Sequence, residues 1–88
     1  MQAVVTVVGS DKVGIVAGIT ATLADLNVNI LEMSQTLMRG AFTMMMVVSI
    51  EDGLNFLTLQ EKIQAKGDAL GVRVHLQNEA IFNAMHEL

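Results

Sequence analysis

Hydropathy changes period repeatedly along the chain, and the order of those periods limits the fold more than any single motif does. Gln2 to Val8 is rich in valine and threonine, which suit a pleated, half-buried strand. After the turn Gly9-Ser10-Asp11-Lys12 the spacing becomes helical: Val16, Ile19, Leu23 and Leu26 fall on one face, with Ile15 above Ile19. Asp11 is expected to cap that helix, because its carboxylate can accept free amide hydrogens of the first turn. Asn27-Val28-Asn29 ends it, and Ile30 to Met38 reads as a strand of imperfect alternation, compatible with a bulge. Arg39-Gly40 is a tight turn into Phe42 to Ile50, whose Phe42, Met44, Met46, Val48 and Ile50 share a face.

Glu51-Asp52-Gly53 breaks that strand. Phe56, Leu59, Ile63 and Leu70 then mark a second amphipathic helix, with Gly71 at the place of a left-handed cap. Val72, Val74 and Leu76 alternate with Arg73, His75 and Gln77 in a last strand. Ile81, Phe82, Met85 and Leu88 form an apolar stripe in a short helical tail from Glu79. Two strand–helix–strand units joined by a hairpin predict an α+β fold. It is the ferredoxin-like βαββαβ arrangement, a four-stranded antiparallel sheet with two helices on one face, followed by a C-terminal helix.

Composition removes several functions. The 88 residues include no cysteine, so disulfide scaffolds and thiolate metal sites are excluded. A net charge of -4 with three phenylalanines as the only aromatics argues against nucleic acid, which asks for basic surface and stacking rings. The longest apolar run, Met44 to Val48, is far below the roughly 20 residues that span a bilayer. The first residues lack the basic start of a signal peptide. No membrane association is expected, and the cytoplasm is the default location. Apolar residues nevertheless make up 52% of the chain, while a domain this small buries only roughly 60–65% of its unfolded surface. A second subunit is expected to cover part of the surplus, for which the helix-free sheet face carrying Met45 and Val47 is a candidate.

Catalytic chemistry finds little support. Ser10, Ser34 and Ser49 have only His75 and His86 as bases, and no serine elbow is present. His86 with Glu79 makes a poor metal site. Met44-Met45-Met46 cannot converge on a soft metal, since consecutive strand residues face opposite ways. Gly9 to Gly14 has the glycine spacing of a phosphate-binding loop, but Ile15-Val16 replace the lysine and hydroxyl that it requires. What is left is a glycine turn before a helix, whose free backbone amides favour a small anion such as an amino-acid carboxylate. Gly9 and Gly14 equally suit turn geometry and close packing alone. The same two readings hold for Asn27 and Asn29, as turn residues or as carboxamides addressing a zwitterion.

Val4-Val5-Thr6-Val7-Val8-Gly9-Ser10-Asp11-Lys12-Val13-Gly14-Ile15-Val16, followed by Leu23-Ala24-Asp25-Leu26-Asn27-Val28-Asn29-Ile30, resembles the ACT domain family of amino-acid metabolism. The resemblance covers about residues 2 to 77, giving an ACT domain over 1–77 and a helical extension over 78–88. It is similar to the stand-alone single-ACT proteins of bacteria and archaea and to the ACT halves of the glycine-cleavage-system regulator. The resemblance implies a ligand at a subunit interface. By position Asp11 matches the polar residue of the turn, Gly14 the turn glycine and Asn29 the asparagine that opens the second strand. The backbone amides of Lys12 and Val13 would lie near the ligand. Val13 stands for the usual proline, and Gly9 stands where some serine-binding members carry histidine, so no ligand identity carries over. The expectation is a non-catalytic regulatory homodimer that binds an amino acid and needs no cofactor or metal. The alternative is a protein–protein interaction module with no small ligand.

Overall fold

In the computed structural model, residues 1–10 and 13–78 are described. They form β1 (Gln2–Ser10), α1 (Ile15–Asp25), β2 (Asn29–Met38), β3 (Ala41–Ser49), α2 (Phe56–Leu70) and β4 (Arg73–Asn78). The strands make one sheet in the order β2-β3-β1-β4, with every neighbouring pair antiparallel. This is the ferredoxin-like βαββαβ fold expected from the periods. The helical tail expected from Glu79 onward lies outside the described residues.

Alternation decides which side of the sheet the helices cover. Ala3, Val5 and Val7 of β1, Met44, Met46 and Val48 of β3 and Leu76 of β4 are buried in one cluster with Ile15, Ile19 and Leu23 of α1 and Leu59 and Ile63 of α2. Both helices therefore pack on the same face. Met45, between two buried methionines, is half-buried on the opposite face, so the methionine run fills packing space on two sides. β2 departs from simple alternation at Leu31, where the register with β3 slips between Ile30 and Glu32. The extra residue moves Met33, Gln35 and Leu37 onto the helix-side rows of Met46, Met44 and Phe42.

The turns follow from local chemistry. Met38 pairs with Ala41, leaving a two-residue loop in which Arg39 and Gly40 both take positive φ, 54° and 80°. That twist matches the strands on either side. Both helices end in the same way. Val28 N–H donates to Leu23 O at 2.9 Å and Asn27 N–H to Ala24 O at 3.0 Å, around Asn27 at φ 58°. Val72 N–H donates to Gly67 O at 2.9 Å and Gly71 N–H to Asp68 O at 3.2 Å, around Gly71 at φ 75°. Each pair satisfies carbonyls that a helix end leaves free.

The helix starts differ. Asn55 Oδ1 accepts from Leu57 N–H at 2.8 Å and from Thr58 N–H at 3.4 Å, capping α2. α1 begins only at Ile15 and its cap position is Gly14 in the left-handed region, with no side-chain bond. Asp11 is thus three residues short of the cap role expected for it. We expect Asn55→Ala to lower stability by about 1 kcal/mol, read as a smaller urea midpoint at unchanged slope.

Candidate functional site

The sequence-predicted residues divide into two groups set far apart. Ser10, Ala41 and Met38 share one row across β1, β3 and β2, and Gln2, Ser49 and Asn29 share another. Eight steps along β1 separate the rows, roughly 27 Å at strand spacing. The turn of residues 11–14 follows Ser10, whereas Asn29 opens β2 at the other end of the sheet. One chain does not bring them together.

At the turn end, Asp11 and Lys12 lie outside the described residues. Val13 is fully exposed. Gly14 has φ 92°, and a Cβ built there meets nothing within 4 Å. Its role is conformational, since a side chain would be strained by the backbone and not by its neighbours. The first intrahelical bond is Gly18 N–H to Gly14 O at 2.8 Å. The amides of Ile15, Val16 and Ala17 precede it, no side chain among the described residues caps them, and no acidic residue stands in the first turn. The three amides make an electropositive helix end open to an anion. Sequence reasoning placed the donors at Lys12 and Val13. A left-handed Gly14 puts the first helical residue at Ile15, three past the start that an Asp11 cap would give.

Asn27 and Asn29 also separate. Asn27 carries the left-handed geometry that ends α1, a structural duty that asparagine tolerates. Asn29 is the extended, exposed first residue of β2, and its carboxamide makes no hydrogen bond among the described residues. Both carboxamides are exposed, and the helix-ending bond uses only the Asn27 backbone.

Gly9 has a packing reason of its own. A Cβ there would lie 2.6 Å from Val72 Cγ1 and 3.1 Å from Val72 Cβ. The strand approaches the α2–β4 junction too closely for a larger residue at this position. Elsewhere, a depression of about 520 Å³ along β4 is lined by Thr6, Val8, Gln64, Asp68, Arg73 and His75, among others. None of the sequence-predicted site residues lines it, and His75 is exposed beside Arg73, as expected of a solvated strand position. Among the described residues no three His, Cys, Asp or Glu side chains group to hold a metal. No described helix is long and apolar enough to cross a membrane.

A four-stranded βαββαβ sheet with both helices on one face, a helix end opened by glycine and β2 at one edge defines a ferredoxin-like domain. The chain belongs to the ACT domain family, whose model matches residues 1–77. ACT domains are typically regulatory, ligand-binding domains. Over its whole length the chain is 66% identical to the UPF0237 protein YjhC of Lactococcus lactis, also along that protein's full length. It superposes on an ACT domain protein from Streptococcus pneumoniae with a TM-score of 0.85 and 45% identity, covering 98% of each chain. A putative glycine cleavage system transcriptional repressor is similar at a TM-score of 0.79 and 25% identity, over 88% of this chain and 47% of that one.

The packing at Gly9 predicts that Gly9→His lowers stability by about 1–3 kcal/mol through overpacking against Val72. Urea unfolding checks this, and an unchanged midpoint would mean that Val72 moves aside freely.

Proposed function

We propose that the protein is a non-catalytic regulatory module that binds an amino acid in the seam of a homodimer. The observation that carries this reading is the separation of Asn29 from the turn of residues 11–14 at opposite ends of one sheet. β1 and β2 run in the same direction, each antiparallel to β3. If two β2 strands pair antiparallel about a twofold axis, Asn29 of the partner subunit comes to the end of the sheet that carries the first subunit's turn. Two equivalent sites then form per dimer.

β2 suits such pairing. It is an edge strand of ten residues with neither lysine nor proline, the common guards of a free edge. Leu31, Met33, Leu37 and Met38 along it are 41–65% exposed, apolar side chains on both faces of the edge that a second copy would cover. In the seam the ligand carboxylate accepts from the amides of Ile15 to Ala17 and from Lys12 and Val13. Asp11 with Asn29 of the partner subunit addresses the ammonium group. A ligand held by both subunits favours the arrangement in which they meet, so its differential affinity sets the size of the regulatory response. The chain is similar at 25% identity to a putative glycine cleavage system transcriptional repressor, which fits a regulatory role. A cytoplasmic location accords with such a role.

Thermal-shift and calorimetric screening against the common amino acids tests the reading. Ligand at about 100 times its dissociation constant should add roughly 2.7 kcal/mol, a rise of about 10 °C or more for a domain this size. No response to any amino acid at millimolar concentration would leave the apolar edge as support for the rival, an assembly module without a small ligand. Two substitutions separate the asparagines: Asn29→Ala abolishes the thermal response at unchanged melting temperature, whereas Asn27→Gly keeps the response. Leu37→Lys, which puts a charge on the bare edge, is expected to halve the mass seen by light scattering. A mass unchanged by Leu37→Lys would exclude β2 as the seam.

A further inference from the structure

The alternation of hydrogen-bonded pairs shows which backbone groups of β4 are free. The Met1 amino group donates to Ile50 O at 3.1 Å and Ile50 N–H donates to Met1 O at 2.7 Å, so the two form a bonded pair in line with the β1–β3 ladder. Such pairs recur at every second residue, and the register runs unbroken to Gly9 and Phe42. Ala3, Val5 and Val7 therefore turn their backbone groups to β3, while Val4, Thr6 and Val8 turn theirs to β4. The β4 partners of those three are Gln77, His75 and Arg73. The N–H and C=O groups of Val74 and Leu76 are left pointing outward, with no backbone partner among the described residues.

This free edge runs through a groove. The depression of about 520 Å³ reaches around it, from Thr6, Val8, Arg73 and His75 on the open sheet face to Gln64 and Asp68 on α2. The helix comes so close because Gly67 lies on Val74, where a Cβ would be 2.5 Å from Val74 Cγ2. Arg73, His75 and Asp68 are exposed and make no ion pair among the described residues.

We propose that an extended segment of another protein binds in this groove as a fifth strand, its backbone bonded to Val74 and Leu76. It lies about 4.8 Å outside β4. Every second side chain of such a segment points to the open face, where the Arg73 guanidinium and the His75 imidazole suit carboxylates. The others point toward α2, where Asp68 and Gln64 suit ammonium or amide groups. The partner strand is therefore one in which acidic residues alternate with basic or amide residues. A second copy of β4 does not meet that requirement. Antiparallel pairing about Val74 sets Arg73 against His75 of the partner subunit, and pairing about His75 sets two imidazoles together. Copies joined at both β2 and β4 would also extend the sheet without closing it. The strand site uses neither Asn29 nor the β2 seam, and it stands if no amino acid binds.

The probe is a short synthetic peptide of alternating glutamate and lysine with blocked ends, titrated into the full chain and followed by amide NMR. At saturation, hydrogen exchange at Val74 and Leu76 should slow at least about tenfold, with His75, already bonded to β1, changing little. A peptide of the same composition with its charges in blocks of two presents both signs on each face and should bind about threefold or more weakly. Arg73→Glu and Asp68→Lys should each weaken the alternating peptide by a similar factor. The double variant should restore binding, because a shift of one residue exchanges the peptide's two faces. No binding at millimolar peptide, protection confined to β2 amides, or equal binding of the two peptides would each overturn the proposal. A double variant no better than either single one would overturn the assignment of Arg73 and Asp68 as the groups that read the two faces.

Discussion

The ladder between β1 and β3 settles where everything else can go. It pairs nine residues on each strand at the centre of the sheet, and its alternation sends Val5, Val7, Met44 and Met46 to one side. Both crossovers must bury their stripes there, because that is where the matching apolar surface lies. Once the two helices share a face, three surfaces are left without cover from them: the edge of β2, the edge of β4 and the far face of the sheet.

The same ladder explains why the candidate site is incomplete within one chain. A helix that follows β1 starts at the end of the sheet where β1 stops, and a strand that follows the helix begins at the other end. The free amides of α1 and the carboxamide of Asn29 are therefore kept apart by topology, whatever residues occupy the turns. A ligand that uses both needs a second copy. Twofold pairing of strands that run the same way as β1 provides the reversal that a single chain cannot.

Most of the fold was legible because each period change coincided with a turn residue of known geometry. Arg39-Gly40 and Gly71 take the conformations read from their residue types, and the faces of both helices and of β3 are the ones that spacing marked. The site was legible less fully. Asp11 looks like a cap in sequence, but a left-handed Gly14 delays the helix, and no spacing rule tells an early from a late start when both residues fit. Gly9 gave no sign that Val72 lies against it, because that contact joins residues 63 positions apart in sequence. Asn27 and Asn29 looked interchangeable until the helix-ending bonds claimed Asn27. Long-range packing and the handedness of single residues decide these matters, and neither leaves a periodic trace.

The apolar excess of the composition can now be divided by the surface that absorbs it. Ile19, Leu23, Met44, Met46, Leu59 and Ile63 are fully buried between sheet and helices, and need nothing from outside. Leu31, Met33, Leu37 and Met38 line a backbone edge, where apolar side chains and unpaired amides ask together for another strand. Val4, Met45 and Val47 lie on the sheet face away from both helices, where backbone groups are already paired within the sheet. The two remaining surfaces thus differ in hydrogen-bonding state: the β2 edge offers backbone groups as well as apolar side chains, and the face offers apolar side chains alone.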